Sequence, residues 1–218
     1  MRPWLALLAA LLLAACSGGA KKDVTVVIAP GSSLKAAAAD LEEAGAIGSA
    51  SGFLTHAKLL GSSESIKPGE YEIKKGMDDG DVLALLQSGK TKQRFVIIPE
   101  GTPSVIVHDR LMAAPFLTGN VAVPAEGSVL PDAYSYVRGE KRSAVVARMQ
   151  AAMKKTLAEA WANRKPTTVV RSPEEAVILA SIVEKETSKA SERRTVAGVY
   201  SNRVRVGMKL QADPTVIY

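Results

Sequence analysis

The chain has 218 residues, enough for one or two domains with a packed core, and 47% of them are hydrophobic. A formal net charge of +6 suits an acidic polymer or an anionic membrane surface, and the few aromatics (Phe 3, Tyr 5, Trp 2) offer little for base stacking, which speaks against nucleic acid. The single cysteine leaves no internal disulfide, and without CxxC or HExxH the sequence implies no metal site and no cofactor.

From Pro3 to Ala20, "PWLALLAALLLAACSGGA", no side chain is charged; Arg2 precedes the run and Lys21 and Lys22 follow it. Its length is near the minimum for a bilayer span, while the continuous apolar part from Trp4 to Cys16 has the length of a secretory h-region. "LAAC" at 13–16 also resembles a bacterial lipobox, with Cys16 the lipidated residue. An uncleaved single-pass inner-membrane anchor (1–22) is favoured over a lipoprotein signal, and both over an ordinary signal peptide. All three export the remainder of the chain. Export argues further against nucleic acid and for cell-wall glycan, whose carboxylates match a basic protein.

Residues 24–29 read as a strand, Pro30-Gly31 as a turn and Ser32 or Ser33 as the N-cap of a helix that stops at Gly45. A second helix is expected over 50–60, with Phe53, Ala57 and Leu60 on one face. Strand 71–73, a turn at Gly76 and a helix over 79–87 ending at Gly89 follow. The same order of strand, glycine turn and helix then returns with strand 95–98, Glu100-Gly101 and a helix from about Pro103. Shared turn chemistry accounts for the recurrence better than duplication does. Residues 120–138 read as loop. A helix over 143–162 places Val146, Met149, Met153, Leu157 and Trp161 at core spacing. His56 and His108, far apart in helical patterns, read as solvated or packed imidazoles.

Ser172-Pro173-Glu174-Glu175 is a helix start: serine cap, proline at the first position, glutamate at the third. That fixes the phase of the following helix and separates two glutamates near its end. Glu186 has Val183, Ile182 and Leu179 three, four and seven residues before it, an apolar set, whereas Glu184 has Ser181, Ala180 and Val177. Glu186 is therefore expected to be sheltered on the greasier face, with Lys185 nearer solvent. Burial and the carbonyl end of a helix both favour a protonated carboxyl, the form a general acid needs. The competing reading is a glutamate salt-bridged to Arg193, Arg194 or Arg203. Ser191 reads as the N-cap of a last helix over 192–205, ending at Gly207, with Arg203 as a structural ion-pair partner.

"ASIVEKE" followed by "SER", "NR", "GM" and "QADPTVIY" closely resembles the most characteristic stretch of the MltG/YceG-like endolytic murein transglycosylases. "EGSVLPDAYSY" (126–136) resembles that family's second signature, and "IPEG" (98–101) the start of its catalytic domain. The strand–helix–helix–strand order of 23–93 resembles a small LysM-like module, so the chain reads as α+β, with the anchor before that module and, as the family resemblance implies, a helix-rich transglycosylase domain over 94–218. The family resemblance also implies that family members continue beyond Tyr218, so that this domain is incomplete. Its catalytic glutamate falls on Glu186.

Most glycosidases need two carboxylates, but a lytic transglycosylase needs one. The acid protonates the oxygen joining N-acetylmuramic acid to N-acetylglucosamine. The carboxylate then takes the proton of the muramoyl 6-hydroxyl, which closes a 1,6-anhydro ring without water, and the 2-acetamido group helps stabilise the charge. Gln211, Asp213, Glu126, Asp132 and Asn202 are the candidate glycan contacts. Asp213 and Asp132 read equally as turn-forming residues and Gln211 as a loop brace. Implied partners are peptidoglycan strands, the membrane and the wall-synthesis complex. The alternatives are a non-catalytic peptidoglycan-binding lipoprotein and a hydrolase with Asp213 or Glu126 as base.

Overall fold

The computed structural model describes residues 19–61 and 64–212. The apolar part of the uncharged run, the lipobox with Cys16, and Asp213 lie outside the described residues. Among the described residues, no helix is long and apolar enough to cross a membrane. The fold is mixed α+β and divides into two compact units, Met1–Arg94 and Phe95–Tyr218.

The first unit is built from β1 (Val24–Ile28), α1 (Leu34–Glu43), α2 (Ala50–Leu59), β2 (Gly69–Ile73) and α3 (Asp79–Ser88). Local chemistry sets each helix start. Ser33, Ser49 and Asp78 each accept a backbone N–H from the first turn, and Asp78 and Asp81 form a reciprocal capping box. Gly89 closes α3 in the left-handed conformation, at φ +73°. β1 and β2 pair antiparallel, with Val26 opposite Tyr71 and Ile28 opposite Gly69. Val26, Ile28, Tyr71 and Ile73 meet Ala37, Ala38, Leu41, Phe53, Val82 and Leu86 in one core. Ala20, at the end of the uncharged run, joins that core and pairs through its backbone with Gly76 and Met77.

Two features depart from the sequence expectation. Leu60 is exposed, because α2 ends at Leu59 and only Phe53 and Ala57 reach the core. β2 starts two residues earlier than the expected strand 71–73 and so takes in Glu70, which is only 5% exposed, yet ionic, and is balanced by Arg94 at 2.8 Å. Its carbonyl also accepts the N–H of Lys92, so the segment leaving α3 is strapped to the sheet.

Asp79, the first residue of α3, is buried too. Burial pushes its carboxyl above the ordinary 3.8; the His56 imidazole opposes that rise and Asp78 adds to it. An acid with a raised folded-state value binds its proton more tightly folded than unfolded. Stability therefore falls as pH climbs from the ordinary value through the raised one. Asp79→Asn is expected to raise the urea midpoint at pH 7, with the gain vanishing below pH 3.8. An equal gain at both ends of that range would remove burial as its cause.

The second unit opens with β3 (Arg94–Ile97), which pairs with β4 (Ala133–Tyr136), and continues through α4 (Ser104–Ala113), α5 (Arg142–Ala162), α6 (Pro173–Glu186) and α7 (Ala190–Arg205). β4 lies inside the stretch expected to be loop. Val96, Ile98, Val107, Leu111, Tyr134, Tyr136, Val145 and Met149 form its first core. Only the first half of α5 contributes. Met153, Leu157 and Trp161 are half-buried rather than core residues, because periodicity sets a face but does not supply a neighbour for it. Arg142 organises the far end of α4. Its guanidinium donates to the carbonyls of Leu111 (2.7 Å), Met112 (3.1 Å) and Ala114 (3.5 Å), and to that of Gly119 (2.8 Å).

Candidate functional site

α6 starts as the sequence predicts. Ser172 Oγ accepts the N–H of Glu175, and Pro173 occupies the first turn. Glu175 reaches back one residue further than a capping box requires, accepting the N–H of Arg171 at 2.6 Å. One face of α6 carries Leu179, Ile182 and Val183 against Val196, Ala197 and Tyr200 of α7, with Leu210 and Ala212 closing this second core. The opposite face meets backbone. A Cβ on Gly127 would stand 2.9 Å from Val177, and one on Gly101 would stand 3.4 Å from both Glu184 Cγ and Lys185 Cε. Val177 and Glu184 are seven residues apart, hence on one face, and that face is small enough to admit two glycine turns. Both glycines have positive φ, +66° at Gly101 and +71° at Gly127, so their lack of a side chain serves turn and approach together.

The two glutamates sit differently from the expectation. Glu186 is exposed, and Glu184 is the sheltered one, its side chain 26% exposed and both oxygens 3.0–3.1 Å from Arg193. The greasy stripe does point toward position 186, but its core stops a turn earlier. α6 ends at Glu186, the chain leaves in extended conformation at Thr187 (φ −144°, ψ 130°), and Thr187 takes the next buried place. Its hydroxyl donates to Glu192 at 2.9 Å and accepts the N–H of Lys189 at 3.1 Å. Sequence reasoning passed over Thr187; a threonine between a helix end and "SKASER" was the available signal.

Of the glutamates in α6 and α7, Glu174 is bonded to Ser172, which holds its carboxyl below the ordinary range, and Glu175 to Arg171. Glu184 is bonded to Arg193, and Glu192 to Thr187 and Lys189. The Glu186 side chain is exposed and makes no hydrogen bond or ion pair among the described residues. It is the carboxylate at this corner that is free to meet a ligand.

The other candidates are spread around this helix pair. Glu126 is the cap of α4: its Oε1 accepts the N–H of Ser104 at 3.0 Å, replacing the side-chain cap that Pro103 cannot provide. Asp132, exposed at the start of β4, accepts the N–H of Ala133, while its carbonyl bonds Ile98. Asn202 accepts from Arg205 and, with Val170, Leu179 and Ser201, lines a cavity of about 370 Å³ that does not include Glu186. Gln211 is exposed in a left-handed conformation, φ +49°, beside the buried Ala212. Arg203 is not an ion-pair partner among the described residues; it lies over the Tyr200 ring and donates to the Leu210 carbonyl, bracing the segment that carries Gln211. Ser191 lies inside α7, whose N-cap is Lys189. The IPEG turn, the end of α6 and the start of α7 thus converge. Glu126 and Asn202 serve other parts of the unit.

A model of the YceG-like family matches residues 26–218. Proteins named endolytic murein transglycosylase are similar to the chain: one from Streptococcus pneumoniae serotype 2 is 26% identical over 91% of this chain and 43% of its own length. One from Bacillus subtilis is 24% identical over 91% of this chain and 63% of its own. The chain therefore spans less than two thirds of the length of these relatives. A crystal structure of a YceG-like protein from Listeria monocytogenes is 25% identical, covering 91% of this chain and 75% of that one, with a TM-score of 0.49.

Proposed function

The chain belongs to the YceG-like family, and on that premise we propose that it is an endolytic murein transglycosylase with Glu186 as its acid and base. The observation that carries the assignment to a residue is that Glu186 alone, among the described glutamates of α6 and α7, is unpartnered. It gives its proton to the glycosidic oxygen between N-acetylmuramic acid and N-acetylglucosamine. It then takes the proton of the 6-hydroxyl as that oxygen attacks the anomeric carbon, so the C–O bond broken is replaced by one within the sugar. Because the free chain leaves Glu186 in water, its shelter comes from the glycan: sugar laid across the corner excludes solvent during both proton transfers.

A hydrolase requires a second free carboxylate to activate water. Of the two bases that reading offers, Glu126 is committed to the α4 N-terminus. The strand–helix–helix–strand order and antiparallel pairing of the first unit support reading it as a LysM-like wall-binding module. The uncharged run from Pro3 supports an inner-membrane anchor with the remaining chain outside the cytoplasm, and wall synthesis supplies the natural partners there. Digestion of purified sacculi by the full-length protein tests the reaction. Muramoyl ends one water lighter than reducing ends are expected by mass spectrometry; reducing ends alone would identify a hydrolase instead.

A further inference from the structure

Glu184 and Arg193 join the last turn of α6 to the first turn of α7, with Arg193 Nη2 at 3.1 and 3.0 Å from the two carboxylate oxygens. A second link crosses the same corner on the other side of Glu186 in sequence, from Thr187 Oγ1 to Glu192 Oε2 at 2.9 Å, and Lys189 Nζ adds a contact to Glu192 at 3.2 Å. The Gly101 turn closes over Glu184 from outside, where an added Cβ would stand 3.4 Å from Glu184 Cγ. Between these two links in sequence stands Glu186, whose carboxylate has no partner among the described residues. Half-exposed ion pairs contribute little to stability, and Arg193 is held with its Nε buried and without an acceptor among the described residues. A contact that stabilises so little and leaves a donor unmet is better explained by what it positions.

We propose that the Glu184–Arg193 pair, seconded by Thr187–Glu192, is a positioning clasp that fixes the α6–α7 corner and so sets where the Glu186 carboxyl meets the glycan. The inference rests on the transglycosylase reading. Glu184 acts through Glu186: it keeps its own proton-accepting oxygens on Arg193 and touches no reacting atom. Since the clasp holds the acid rather than the sugar, its loss appears in kcat. Misplacing a catalytic group by about 1 Å can cost two orders of magnitude, and a supporting contact commonly costs ten- to a hundred-fold.

The test uses the full-length protein on purified glycan, with rates expressed per folded molecule from near-UV circular dichroism. Glu184→Ala and Arg193→Met are each expected to lower kcat by about tenfold with KM changed less than about twofold, and the double variant to be no worse than either single one. Glu184→Gln, which keeps an acceptor for Arg193, recovers most of the rate. The two single variants also move the pH profile of kcat in opposite directions. Glu184→Ala leaves an unbalanced cation beside the corner and shifts the basic limb down; Arg193→Met leaves an unbalanced anion and shifts it up. A contact that only stabilised the fold would leave kcat per folded molecule unchanged. Unchanged kcat and profile in these variants, with Glu186→Gln inactive, overturns the clasp alone. An active Glu186→Gln overturns the transglycosylase reading and the clasp with it.

Discussion

Replacing Glu186 by glutamine is expected to lower release of anhydro ends by about a thousand-fold, while binding to sacculi stays intact. Removing a general acid–base costs roughly two to four powers of ten, and here one group performs both transfers. Glutamine has nearly the same shape and can hold a hydrogen bond to the sugar but cannot give or regain a proton. The exposure of Glu186 makes the experiment clean. With no partner among the described residues and no burial, the substitution should change stability by less than about 0.5 kcal/mol. A loss of rate therefore reports chemistry, not unfolding. Undiminished anhydro product from the variant would transfer the role to some other group.

The largest stability effect is expected at Arg142. Its guanidinium gathers carbonyls at the C-terminal end of α4, where unpaired oxygens and the helix dipole favour a cation, and ties in the Gly119 carbonyl as well. Hydrogen bonds to a charged group are worth about 1.5–3 kcal/mol each in net terms, and those here share one partly buried side chain. Arg142→Met should cost about 3 kcal/mol, visible as a lower urea midpoint with an unchanged slope, or about 10 °C in Tm. Arg142→Lys should lose less, because one ammonium reaches fewer of these oxygens. A Met variant with wild-type midpoint would mean that water satisfies those carbonyls equally well.

What the sequence made legible was what short-range chemistry decides. The caps at Ser33 and Ser172, and the stops at Gly45 and Gly89, follow from side chains that bond within three residues or from the glycine backbone. β4 was hidden because four residues, "AYSY", become a strand only by pairing with β3 across more than thirty positions of chain. The site was half legible for a related reason. Helix phase placed Glu186 on the apolar stripe, and the stripe is real, but where a core ends depends on what packs against it. Ile182 and Val183 find Tyr200; Glu186 stays exposed among the described residues, and Thr187 turns inward instead. Glycine as a contact surface was equally invisible. Gly101 reads as a turn and Gly127 as part of a loop, and only the fold reveals that both lie against α6.

The stretch between α4 and β4 has almost no regular structure, yet it is pinned at intervals. Glu126 holds Ser104, Ser104 holds Ala125, and Leu130 holds Met149. With α5 its first part borders a hollow of about 490 Å³ along Asn120–Ala125 and Gln150. Such a wall has surrendered its freedom during folding, so a guest settling there meets a prepaid surface and forfeits less entropy than it would on a loose lid.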